Sequence, residues 1–68
     1  MNTQTHLSSR NQTTVHLITH HRERAAADRA LAEAKLQAGL RDEAARLLAL
    51  AAEHDRKAEE IERFARAA

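Results

Sequence analysis

The chain has no cysteine, proline, tryptophan or tyrosine, and only one glycine, one methionine and one phenylalanine in 68 residues. Without cysteine, disulfides and thiolate metal sites are excluded. No apolar run approaches the roughly 20 residues of a membrane span, and no signal-peptide pattern is present, so a cytoplasmic protein with no membrane contact is the default expectation. The net charge of +1 is too small to imply a polyanion partner for the whole chain. A single aromatic ring leaves nothing to stack on nucleic-acid bases. There is no glycine-rich phosphate loop and no serine–histidine–aspartate order, and two helices leave no room for a cleft. Enzymatic activity and a cofactor are therefore not expected.

Large apolar side chains are also few. Sixteen residues are alanine, and only thirteen are larger aliphatics, methionine or phenylalanine. A chain this short with so little bulk needs a staple. With no cysteine, the available staple is oligomerisation.

What is present is a heptad pattern. Leu40, Ala44, Leu47, Ala51, His54, Ala58, Ile61, Ala65 and Ala68 follow one another at alternating spacings of four and three. That is an apolar helical seam with alanine at every other position and one histidine inside it. Small residues at one heptad position let a second helix approach near the short end of the usual 8–10 Å range.

The chain divides around Gly39. Residues 1–12 are rich in Asn, Gln, Ser and Thr and read as a flexible polar tail, although Ser9 and Gln12 have capping-box spacing. Residues 13–68 read as a helical hairpin, with helices over about 13–38 and 41–66. Thr13 to His21 is ambiguous, because five of its first seven residues are β-branched and fit a strand, while Val15, Leu17 and Ile18 fit an entering helix. From Arg22 to Ala38 the composition favours helix throughout, with two apolar faces. One carries Ala27, Leu31, Ala34 and Ala38, and extended backward His16 and His20. The other carries Ile18, Ala25, Ala32 and Leu36. A helix apolar on two sides needs two neighbours.

Gly39 suits the left-handed residue just past a helix end, with Leu40 folding back on the last turn. Asp42 and Glu43 then face the positive end of the next helix dipole. The segment from Ala44 to Ala52 is apolar nearly all round, more than one neighbouring helix covers. Further along, Glu59 to Arg63 and Glu62 to Arg66 have the spacing of ion pairs within one helix. The fold class expected is all-α: an antiparallel two-helix hairpin that homodimerises into a four-helix bundle.

Two families share features with this pattern. Leu31 to Ala51 resembles the middle of a tetratricopeptide unit, with Gly39 at the turn and Glu43-Ala44, Leu48 and Ala51 on the second helix. Arrays of that family need about three units, and one is present. Thr14-Val15-His16-Leu17-Ile18-Thr19 resembles the ribbon of ribbon-helix-helix DNA-binding proteins, many of them antitoxins. That resemblance implies a dimer whose Thr14 and His16 enter the major groove. Dimeric helical hairpins that bind paired RNA loops are a further resemblance in the same direction.

These readings assign residues as follows. Self-association falls to Leu31, Leu36, Leu47, Leu48, Ala51, His54, Ala58 and Ile61. Contact with a protein partner falls to Leu50 and to Phe64, the only aromatic, which lies off the main seam. In the nucleic-acid alternative, Arg10, His16, Arg22 and Arg24 carry the contact. His16 and His20 have a spacing that can chelate zinc, but no third ligand is placed, so no metal is expected. The function expected is that of a small non-enzymatic interaction or regulatory protein, of the kind common among phage and plasmid accessory proteins. Its alternative is a dimeric nucleic-acid-binding regulator.

Overall fold

The computed structural model describes the backbone of residues 3–67 and the side chains of residues 12–67. Two helices, α1 (Thr3–Gln37) and α2 (Arg41–Ala67), form an antiparallel hairpin. Among the described residues there is no strand. Thr13 to His21 is helical, so the strand option and the ribbon that depended on it are not found. β-branched residues cost only a few tenths of a kcal/mol each in a helix, and each residue added to a formed helix gains a hydrogen bond. A strand there has no pairing neighbour to offset that. No proline or glycine interrupts the chain before Gly39. The same continuity carries the α1 backbone to Thr3, into the stretch expected as a polar tail. Met1 and Asn2 lie outside the described residues, as do the side chains of residues 3–11, Arg10 included.

The turn follows the sequence closely. Gly39 has φ +81°, its amide donates to the Leu36 carbonyl at 3.0 Å, and the Leu40 amide donates to the Lys35 carbonyl at 2.8 Å. These two bonds are the Schellman pattern. The Leu40 carbonyl then accepts from the Ala44 amide at 3.1 Å and opens α2. Lys35 and Glu43 clamp the turn from outside at 3.1 Å. A Cβ built on Gly39 meets nothing within 4 Å, so the glycine is needed for its backbone angle alone. Gly39→Ala is therefore expected to destabilise by about 1 kcal/mol, the cost of a left-handed Cβ, and to lower the midpoint of a circular-dichroism melt by about 5 °C. An unchanged midpoint would show that the turn tolerates another geometry.

The hairpin is one layer thick. Its extents are 58 by 19 by 10 Å and its radius of gyration is 16.2 Å, against about 11 Å for a compact globule of this length. Within that layer the helices meet on alanine: Ala25 and Ala32 of α1, and Ala44, Ala51 and Ala58 of α2, are all buried. The α2 seam is the one expected, although Leu40 and Ala65 are exposed, and its last residue, Ala68, lies outside the described residues. On α1 the buried face is the one carrying Ala25 and Ala32, and Ala27, Leu31, Ala34 and Ala38 are exposed. No larger side chain is fully buried anywhere among the described residues.

Candidate interaction surfaces

The packed face of α1 is itself a heptad seam. Thr14, Ile18, His21, Ala25, Asp28, Ala32 and Lys35 alternate at spacings of four and three, and each is buried or half-buried. Alanine repeats every seven residues on both helices, so the backbones approach closely along one line. The other repeating position on α1 is polar, and this sets what lies beside the alanines.

The central feature is a pair of histidines. His21 and His54 are half-buried, and their Nδ1 atoms lie 2.9 Å apart. One nitrogen donates and the other accepts, so at least one ring nitrogen of the pair carries the shared proton. The ring centroids are 5.2 Å apart, and His20 adds an edge contact at 5.3 Å from His21. Desolvation holds the His21 pKa below its usual value, helped by His54, His20 and Lys57 nearby. His54 had been legible as the odd residue on the α2 seam; its mate had not. Two imidazoles are too few to build a metal centre, and among the described residues no group of three or more His, Cys, Asp or Glu is placed to hold an ion. His16 and His20 are both exposed.

Asp28 is the second polar residue in the contact. It is 6% exposed, and its Oδ2 is buried without a hydrogen-bond partner among the described residues. A buried, unsatisfied carboxylate oxygen is costly and rare in a finished structure. Reading the sequence for apolar periodicity passes over both His21 and Asp28. The signal that finds them is the seven-residue spacing of Ala25 and Ala32, matched to the alanines of α2.

Interhelical pairs fix which residues share a face. Arg22 pairs with Glu62 at 2.6 Å, and Arg29 pairs with Asp55. Glu62 thus reaches across to α1, where its spacing had pointed to Arg66. These exposed pairs contribute little stability, but they mark one flank. Val15 and Leu36 are seven residues from Arg22 and Arg29, and Leu48 is seven from Asp55, so these three lie on that flank. The histidine pair and the Lys35–Glu43 bridge mark the opposite flank. There Leu47 and Ile61 share the position of His54. Further out stand Leu17, Arg24 and Leu31 on α1, with Leu50, Lys57 and Phe64 on α2.

The expected self-association residues are therefore divided. Ala51, Ala58 and His54 pack within the hairpin, and Leu47 and Ile61 are half-buried at its edge. Leu31 lies on the histidine flank, whereas Leu36 and Leu48 lie on the ion-pair flank, all three exposed. Of the expected partner contacts, Leu50 is exposed on the histidine flank and Phe64 is 81% exposed. Phe64 borders a cleft of about 480 Å³ at the open end of the hairpin, with Val15, Ile18 and Ala65. Of the nucleic-acid candidates, Arg22 is bound to Glu62, while His16 and Arg24 are exposed on different sides of α1. The described residues bring no basic cluster together from that set. No helix among them is long and apolar enough to cross a membrane. No family model matches the chain, and neither a curated protein nor a solved structure matches it.

Proposed function

We propose that the chain is a non-enzymatic interaction protein that acts as a homodimeric four-helix bundle and holds a protein partner. The observation that carries this reading is an inversion of the usual core. Among the described residues, the buried ones are alanines and one aspartate, while Val15, Leu17, Leu31, Leu36, Leu40, Leu48, Leu50 and Phe64 are exposed. Burying a large aliphatic or aromatic side chain contributes about 1.5–3 kcal/mol, and a single hairpin forgoes nearly all of it. Exposed apolar surface of this extent on a small protein marks a contact surface. A second hairpin stacked face to face completes a bundle with a conventional leucine core. The flank that the first copy does not use, together with Phe64 at the open end, remains for a different protein.

Light scattering on a sizing column tests the reading. The expected mass is twice the 7.6 kDa of the chain, and the thermal midpoint is expected to rise with protein concentration, since association stabilises by mass action. A monomer at the highest soluble concentration, with a concentration-independent midpoint, would overturn the proposal.

A further inference from the structure

We propose that the histidine flank is a groove for an amphipathic helix of a protein partner, one that carries carboxylates in the middle of its apolar face. This rests on the partner-binding half of the reading above and names the partner's chemistry.

The flank has a repeating layout. On α1, Leu17, Arg24 and Leu31 stand seven residues apart, and on α2 so do Leu50, Lys57 and Phe64. All six are exposed. Residues seven apart share one line along a helix, so each helix presents apolar, cation, apolar over two heptads, about 21 Å. The four interhelical contacts, Arg22–Glu62, Arg29–Asp55, Lys35–Glu43 and His21–His54, bracket a register in which Arg24 lies level with Lys57. The two cations therefore meet at the centre of the groove, with apolar side chains at both ends. The floor at the centre is the half-buried histidine pair, and Lys57 is near enough to His21 to act on its charge.

Charge distinguishes this flank from the other. Across the ion-pair flank, Arg22 and Arg29 already hold Glu62 and Asp55. On the histidine flank Lys35 holds Glu43 at the turn end, but among the described residues no ion pair engages Arg24 or Lys57. Glu53, one turn before Lys57, pairs with Arg56 instead, and Glu60, one turn after it, is exposed. A wholly apolar helix laid in the groove would bury two cations without partners, which is costly. A helix with carboxylates in its middle heptad satisfies both cations and still covers Leu17, Leu31, Leu50 and Phe64.

A second copy does not supply that helix. Within α1 and within α2, none of the ten Asp and Glu residues has an apolar residue seven positions away on both sides. The matching row, apolar, acid, apolar at steps of seven, belongs to a different protein.

A synthetic helical peptide of three heptads serves as the probe, with leucine on its seam in the outer heptads and glutamate in the central one. A second peptide differs only in carrying lysine at the central positions. By fluorescence anisotropy at low salt, the full chain is expected to bind the glutamate peptide about tenfold or more tightly than the lysine peptide, the size of a charged hydrogen bond. The difference is expected to shrink at about 0.5 M salt, where screening is strong. Arg24→Glu combined with Lys57→Glu is expected to reverse the preference at unchanged helix content. Arg24→Gln combined with Lys57→Gln is expected to abolish it, a reading that does not depend on the charge reversals folding. Equal binding of both peptides by wild type, binding of neither, or a preference that survives the glutamine variant overturns the proposal. The sizing-column mass is read separately. A monomer that prefers the glutamate peptide removes the dimer and keeps the groove, whereas a dimer that binds neither peptide keeps the dimer and removes the groove.

Discussion

Replacing Ala51 with leucine is expected to destabilise the hairpin by about 3 kcal/mol, the upper end of overpacking costs, and to lower the melting midpoint by about 15 °C. The site leaves no room for accommodation. Ala51 is fully buried, and the residues buried on the opposing helix are the small Ala25 and Ala32 with Asp28. Alanine on both helices sets the short local distance between helix axes. Ala44 and Ala58 are buried one heptad away on either side. A leucine at the centre pushes the axes apart there, so these flanking contacts and the 2.9 Å histidine bond lose their geometry as well. Ala52→Leu is the control. Ala52 is exposed, and leucine and alanine differ little in helix propensity. Its midpoint is expected to stay within a few degrees of wild type, by circular dichroism. Equal melting of the two variants would mean that the seam is not the close contact described.

This seam was legible in α2 for a plain reason. Both of its repeating positions are apolar except at His54, so the four–three spacing stands out. The turn was legible because Gly39 is the only residue able to take φ +81° without strain. In α1, by contrast, one of the two seam positions is polar: Thr14, His21, Asp28 and Lys35. Apolar periodicity then points as readily to the stripe of Ala27, Leu31, Ala34 and Ala38, which is exposed. Pairing partners were beyond any single-helix reading. Glu62 has an arginine four residues along in Arg66, and yet it reaches Arg22, because burial of the alanines brings α1 close enough to compete. The α1 backbone is described from Thr3, and each residue added to a formed helix gains a hydrogen bond.

Acidification is expected to destabilise this protein in the range where histidine titrates, and the sign follows from His21. Its pKa is lowered in the folded state, first by desolvation and then by His54, His20 and Lys57. A lowered folded pKa means that the unfolded chain binds more protons once the pH falls below about 6.5, so stability is fully present above that pH and declines below it. Geometry gives the same sign independently. The Nδ1–Nδ1 bond needs one nitrogen free to accept, and a doubly protonated pair offers two donors and no acceptor at 2.9 Å. The charges that lower the His21 pKa are cationic. On α1 the near neighbours are His20 and the cationic Arg24, and on α2 Lys57 adds a third positive group. Beside His54 in the sequence, Asp55 and Glu53 are held by Arg29 and Arg56, and beside His21 the one carboxylate, Glu23, is exposed to solvent. Melts at matched concentration and ionic strength between pH 7.5 and 5 measure the effect, above the range of ordinary carboxylates at roughly 4. Wild type is expected to lose stability steadily across this interval. His21→Gln keeps a polar side chain at the seam, retains every other histidine, and is expected to show a clearly shallower decline. Parallel curves for the two proteins would remove the histidine pair as the source. A decline that also shifts the sizing-column mass toward the monomer would place the pair at the copy-to-copy contact, because both rings lie on the flank that carries Asp28 and Leu47.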